Sequence, residues 1–356
     1  MQNNHDRAKT AICQDRLQYG YHKNNVVKDF LGIQSQFYRY AAICCKLHGD
    51  DFETNRPQYF RAWTIRGTLH IHHMEDYGLF IYRDMLTSYM REFWENETVV
   101  SISEKEFYCE IILNALKREI LTKSQLIDLC TANGMTSEKK EYLFNPWGGI
   151  PRYLIETGRI ILTCSDDTSY ILAPETDLVS REEAERQQVK RYLEGYSPCT
   201  MEDVMYFFKW SKRKCNLLVN YVLEQYFSGR HVIEKIDGQE YLFVEHRSTC
   251  ENNDPVDDLY VLSAFDPLLL GYEKNHNLLL PEEYLRNVFS LQGIVKPTIL
   301  YNGKINGLWN IKNKKIYVEL FNQMPEECIK RMEKILEDAT GIQEIITDFC
   351  NCSVQR

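Results

Sequence analysis

The feature that most restricts how this chain can fold is an order of local signals that recurs between residues 101 and 250. Ser103 with Glu106, and then Thr122 with Gln125, are capping-box patterns. In each, two side chains satisfy orphan amides at a helix start. They predict helices running to about Arg118 and to Gly134. Asn145-Pro146 offers an N-cap and a proline at the first helical position, and the helix after it carries Ile150 and Leu154 and stops at Gly158. A hairpin over 159–164 and 169–172 follows, around the polar turn 165–168. Then the order returns. Ser180 with Glu183, Thr200 with Asp203, and Ser211 open three more helices, the last with Leu217, Leu218, Tyr221, Val222 and Gln225 at helical spacing. A ribbon over 230–236 and 239–244 turns at Asp237-Gly238, a strong two-residue hairpin signal. Helices followed by a two-stranded ribbon make the winged-helix order, in which the third helix is the candidate groove reader.

A looser copy stands at the front. Residues 1–24 are polar and are expected to begin with a loose tail. Val26, Val27, Phe30 and Leu31 predict a short amphipathic helix leading to Gly32. Tyr40, Ile43, Cys44 and Leu47 predict a second, ended by Gly49. Polar 50–58, a strand segment over 60–72 and a long helix over 74–94 follow. Beyond the third unit, residues 246–258 are turn-rich and read as a linker. The texture then becomes β, with strands over 259–264, 293–300, 304–310 and 315–321, a hairpin turn at Asn302-Gly303 and an amphipathic helix over 325–338. The expected fold class is α+β. Three tandem winged-helix units, over 1–100, 101–178 and 179–250, precede a small β-rich, barrel-like α+β domain over 257–356.

Charge narrows the function. The chain carries −9 overall, which argues against a surface coated for nucleic acid. Residues 1–74 hold ten Lys/Arg against six Asp/Glu, so +4, which leaves −13 for the rest. A local basic footprint is compatible with DNA binding when an acidic body faces away, and ordinary fluctuation along a chain fits equally well. Twelve cysteines without a CxxC pair or metal-ligand spacing suit a reducing cytoplasm. Cys350-Asn351-Cys352 reads as a frayed tail before a metal site. No signal peptide or membrane-spanning run is visible.

The most specific stretch is Gly32-Ile33-Gln34-Ser35-Gln36. On a helix, positions i and i+2 diverge by about 200°. On an extended segment they share a face. With Gly32 as a helix break, Gln34 and Gln36 are expected on an extended connector, both amides presented to one place. The alternative is that both cap the helix beginning at Phe37. Over the ribbon, Thr64, Arg66, Thr68, His70 and His72 are expected on one face, with Trp63 alternating.

Three segments in order, Gly32-Ile33-Gln34-Ser35-Gln36, the string from Trp63 through Arg66-Gly67-Thr68-Leu69-His70, and Phe265-Asp266-Pro267-Leu268-Leu269-Leu270-Gly271-Tyr272, resemble the AlkZ-like DNA glycosylases. The resemblance spans most of the chain. It implies that Gln34 and Gln36 are catalytic; a related branch has aspartate in the second place, so Gln36 puts this chain with the first. Where family members commonly continue with arginine-containing sequence after the matched tyrosine, this chain has Glu273-Lys274-Asn275-His276, so a different substrate range is expected if that loop touches DNA.

The chemistry fits. An amide does not titrate, yet it offers a carbonyl acceptor and two N–H donors. That suffices to hold a water or to face developing positive charge, which is all that hydrolysis of an already cationic N7-alkylpurine nucleotide requires. Arg39, Arg66, Thr68, His70 and His72, with the basic run Lys212-Arg213-Lys214, are the candidate DNA contacts, and Trp63 and Asp266 the candidate pocket residues. Each has a plainer alternative: a core histidine for His70, a solvated helix end for the lysines, an Asp-Pro turn for Asp266. No metal or cofactor is expected. The expectation is a monomeric cytoplasmic glycosylase acting on alkylated bases in double-stranded DNA, bulky adducts or crosslinks included, without strand cleavage. The rivals are a DNA-binding regulator and an interaction scaffold.

Overall fold

In the computed structural model the described residues are 2–20, 25–50, 52, 56–165, 167–244 and 258–349, the side chains of 2–7 and 18–20 excepted. The expected linker, apart from Asp258, and the Cys350 to Cys352 tail lie outside them. Two compact units emerge, Met1–Phe52 with Val189–Arg356, and Glu53–Gln188.

In Glu53–Gln188, five strands pair in the order Leu69–His73, Tyr59–Trp63, Ile160–Leu162, Ser169–Leu172, Leu121–Thr122. Helices Ile102–Leu116, Lys123–Ala132 and Gly149–Glu156 form the winged-helix set, with an additional helix Ser137–Leu143. Their inner faces meet the sheet around Phe60, Ile112, Leu126, Leu154 and Ile160.

Three expectations are corrected here. The capping box at the first helix is Ser101 with Glu104, two residues before the expected Ser103 and Glu106. The earlier start lets the Glu97 carboxylate accept from the Ile102 amide at 3.0 Å, satisfying one more orphan donor. The long helix over 74–94 is instead Met74–Asp76, Tyr77–Phe80 and Ser88–Glu95. Buried Glu156 accepts from both the Thr87 amide and hydroxyl at 2.8 Å, holding Thr87 outside the helix as an N-cap. Finally, Asn145 does not cap a helix. Its Oδ1 accepts from the Trp147 amide at 2.8 Å, and the helix starts only after Gly148, at φ +122°. A Cβ on Gly149 would stand 2.0 Å from the Leu143 carbonyl oxygen, so that close passage requires glycine.

In the other unit, helices Arg181–Tyr196, Met201–Phe208 and Lys212–Tyr226 and the ribbon His231–Ile236 and Gln239–Val244 follow the expected order, the first helix crossing the unit boundary. The Thr200 and Asp203 capping box forms, and Cys199 just before it pairs with Leu242. Leu121, just before the Thr122 capping box, pairs with Tyr170 in the same way. Residues 2–20 are a helix, not the expected loose tail. One face, Ile12, Cys13, Arg16 and Leu17, is buried. Its arginine donates to the Pro198 carbonyl at 3.0 Å, pairs with Asp203 and lies 3.6 Å from the Tyr272 ring centroid. A buried arginine reads as polar in a periodicity count, which hides that face.

The C-terminal sheet runs in the order Ile345–Phe349, Lys315–Leu320, Lys304–Lys312, Thr298–Tyr301, Leu259–Leu262. Its first pair is parallel and the others antiparallel. The sheet is open, so the barrel-like expectation is not met: its two end strands do not pair. Helix Glu326–Thr340 covers it, and Ile43 and Leu47 of helix Tyr38–Leu47 share the core with Trp309, Val318 and Met332. A helix expected in the first winged helix is thus built into the core of the C-terminal sheet. Among the described residues no helix is long and apolar enough to cross a membrane.

Candidate active site and nucleic-acid interface

Residues 31–36 join helices Val26–Asp29 and Tyr38–Leu47. Entry is through two left-handed residues, Leu31 at φ +61° and Gly32 at φ +92°. Leucine avoids that region unless held. Here its side chain is fully buried, the Gly32 amide donates to the Val27 carbonyl at 2.7 Å, and the Tyr196 hydroxyl donates to the Phe30 carbonyl at 3.1 Å. Ile33 and Gln34 are extended, and Ser35, Gln36 and Phe37 are non-helical. Phe37 is the N-cap of the following helix, with no side-chain hydrogen bond at that cap. Both glutamines therefore lie off any helix. Their surroundings differ: Gln34 is 7% exposed, while Gln36 is exposed at the surface.

In the other unit, strands Tyr59–Trp63 and Leu69–His73 pair as the expected ribbon. Its turn is closed by the Thr64 amide on the Thr68 carbonyl at 3.1 Å, with Arg66 at φ +58° at its tip. Arg66 and Thr68 are partly exposed. His70 and His72 are buried, 3% and 0% exposed, which removes them from direct DNA contact. His70 Nδ1 donates to the Thr68 carbonyl at 3.0 Å; burial, then the charge of Arg66, lower its pKa to about 3, so it stays neutral. His72 Nε2 shares a 2.8 Å hydrogen bond with the Thr64 hydroxyl, and its ring stacks on Phe80 at 3.6 Å. Half-buried Trp63 lies 5.8 Å from the guanidinium of Arg152, which pairs with buried Glu156 at 2.7 Å. Arg152 was not singled out in the sequence; only the i, i+4 spacing to Glu156 signals it.

Lys212, Arg213 and Lys214 occupy the first turn of helix Lys212–Tyr226, behind the Ser211 N-cap. The first two are exposed; the Lys214 ammonium lies 4.1 Å from the Trp210 ring centroid. Arg39 is exposed in the first turn of the helix that follows the glutamines. Asp266, the other candidate pocket residue, precedes helix Pro267–Leu270. It is fully buried, and its oxygens accept from the Leu268 amide at 3.1 Å, the Ser263 amide at 3.3 Å and His48 Nε2 at 3.0 Å, so it is an internal helix cap. A cleft of about 580 Å³ opens over the C-terminal sheet, lined by Trp309, Tyr317 and Phe349 among others, and includes none of the candidate residues.

A family model described as "DNA glycosylase AlkZ-like" matches residues 54–342, starting beyond the two glutamines. An interstrand DNA cross-link repair glycosylase of Streptomyces sahachiroi is 23% identical over 345 residues, covering 90% of this chain and 92% of that protein. The solved structure of the Streptomyces sahachiroi DNA glycosylase AlkZ superposes with a TM-score of 0.74 at 19% identity, over 96% of this chain and 98% of that one, which shows a shared fold. The family match takes in the hairpin and four of the five strands of the C-terminal sheet, so the chain belongs to the AlkZ-like DNA glycosylase family, enzymes that hydrolyse N-glycosidic bonds in DNA.

Proposed function

We propose that this glycosylase releases N7-alkylated purines from duplex DNA, bulky adducts and interstrand crosslinks included, and that Gln34 and Gln36 assist bond cleavage. The observation that carries the reading is an amide pair on a short non-helical connector, in a chain of this family, entered through two left-handed residues. The similar Streptomyces sahachiroi protein, an interstrand cross-link repair glycosylase, supports the extension to crosslinks.

An N7-alkylpurine already carries positive charge, so the C1′–N9 bond breaks with its electron pair going to the base, which leaves neutral. No general acid is needed. The sugar becomes oxocarbenium-like, and the amide carbonyl oxygens face that charge. A water adds to C1′ and loses its proton to solvent, leaving an abasic site and an uncut strand. Gln34, being buried, supplies a fixed dipole, while exposed Gln36 meets the water.

The phosphate contacts fall to Arg39, Arg66, Thr68, Lys212, Arg213 and Lys214. Three cations in the first turn of a helix oppose its dipole, costing roughly 0.3–1 kcal/mol each in the free protein. Placed there, they concentrate positive potential where a phosphate is received. In this reading the winged-helix units over 1–100, 101–178 and 179–250 hold the duplex, and the 257–356 domain buttresses the helix that follows the glutamines.

The test is base release from duplex DNA bearing N7-methylguanine, read by alkaline cleavage at abasic sites. Gln34→Ala and Gln36→Ala are each expected to slow release by on the order of 100-fold with little change in DNA affinity. Their effects are expected to be less than additive if both hold one water. Gln36→Asp keeps activity. Release at the wild-type rate by both alanine variants removes the catalytic assignment and favours a DNA-binding regulator.

A further inference from the structure

We propose that the buried pair His48 and Asp266 is a positioning device for the glutamine connector, joining the chain on both sides of it to the turn at residues 263–266. This rests on the reading that Gln34 and Gln36 act in base release.

The turn contacts helix Tyr38–Leu47 along one face. The Phe265 ring stacks on that of Phe37, the residue directly after Gln36, at 5.8 Å. The Ser263 hydroxyl donates to the Tyr40 carbonyl at 2.6 Å. Asp266 Oδ2 accepts from the Cys44 thiol at 3.6 Å and from His48 Nε2 at 3.0 Å. His48 also reaches the other side of the connector, its ring meeting Phe30 edge-on at 6.1 Å. Residues 30 and 37, the two ends of the connector, are thus referred to one carboxylate. Both members of the pair are buried, at 1% and 0% exposure, so solvent does not compete for the bond. Phe265 sits at φ +58°, a left-handed conformation that a bulky residue seldom adopts. The strain has a use here: it turns the Phe265 ring onto Phe37 while the next residue points inward.

Cys44, His48 and Asp266 also lie within 4.8 Å of one another, a spacing that suits a divalent cation. The hydrogen-bonded arrangement is favoured because Oδ2 already accepts from the Ser263 amide at 3.3 Å, and because burial, then Asp266, raises the Cys44 thiol pKa well above its usual range, keeping it protonated.

The test is single-turnover release of N7-methylguanine together with duplex affinity, for His48→Ala, His48→Gln, Asp266→Asn and Phe37→Ala. His48→Ala and Asp266→Asn are expected to slow release about 10- to 100-fold, as for a small misplacement of catalytic groups, with affinity within about twofold. His48→Gln keeps a donor for Asp266 and is expected to recover most of that loss. Phe37 is 48% exposed, so Phe37→Ala tests the same linkage without opening the core; it is expected to slow release about 10-fold. In a Gln36→Ala background, His48→Ala is expected to add little. The inference is overturned by unchanged rates in His48→Ala and Phe37→Ala, by affinity falling in step with rate, by undiminished loss in the Gln36→Ala background, or by stoichiometric bound zinc. If Gln34→Ala and Gln36→Ala themselves release base at the wild-type rate, it is the functional reading that has failed, and the inference falls with it.

Discussion

Replacing Gly195 with alanine is a remote perturbation of the proposed active site. Gly195 lies in the last turn of helix Arg181–Tyr196, and a Cβ built on it would stand 2.2 Å from the Asp29 carbonyl oxygen and 3.7 Å from Phe30 Cδ1. Real Cβ contacts essentially never fall below 3.0 Å, and the obstructing atom is backbone. The chain at residues 29–30 must therefore recede by roughly 1 Å, and it leads directly into Leu31-Gly32 and the glutamines. Overpacking of this kind costs about 1–3 kcal/mol. Better helix propensity returns about 1 kcal/mol, so net destabilisation should be about 0–2 kcal/mol and the protein remains folded. A misplacement of about 1 Å, by contrast, lowers rates by up to about 100-fold. Single-turnover base release, duplex affinity and urea denaturation separate the two effects. The expected result is a rate loss far larger than the loss of folded protein, with affinity retained. Gly78→Ala is the control, since a Cβ there meets nothing within 4 Å. A Gly195→Ala protein with wild-type stability and wild-type release would refute the claim that this contact sets the connector.

Two further predictions concern the other unit. His70 has its pKa lowered from 6.5 to about 3, so below pH 6.5 the unfolded chain binds a proton that the folded chain refuses, and stability falls as pH falls towards 3. Relative to His70→Asn, wild type should lose about 2 kcal/mol between pH 7 and pH 5 in urea denaturation; parallel pH profiles would show that His70 is protonated in the folded state. Lys105 is fully buried and donates to the carbonyls of Phe93 and Trp94 at 2.9 Å and of Asn96 at 2.5 Å. Lys105→Met strips these carbonyls at a helix end, leaving, among the described residues, the Tyr142 hydroxyl on two of them, and should cost on the order of 2–4 kcal/mol. An unchanged denaturation midpoint would mean that water replaces the ammonium without penalty.

The elements announced by local chemistry were legible in the sequence. The threonine capping boxes at 122 and 200, the serine cap at 211 and the turns at Asp237-Gly238 and Asn302-Gly303 act over a few residues and formed where expected. The i, i+2 argument likewise put Gln34 and Gln36 off any helix. Some misplacements were local, as at Ser101 and Asn145; the others depended on partners distant in sequence. Thr87 leaves the helix for a carboxylate 69 residues away. The first helix looked like a polar tail because its arginine finds Asp203 187 residues away. His70 and His72 were candidate DNA contacts, with a core histidine as the alternative for His70, since a polar side chain does not reveal from its neighbours in sequence whether its hydrogen bonds are met inside. The sequence alone thus determined the helix starts at Thr122, Thr200 and Ser211 and the turns at Asp237-Gly238 and Asn302-Gly303, because caps and turn geometry are local. Only the tertiary structure decided which polar groups are buried, because a buried polar group must find its partner wherever the chain brings one.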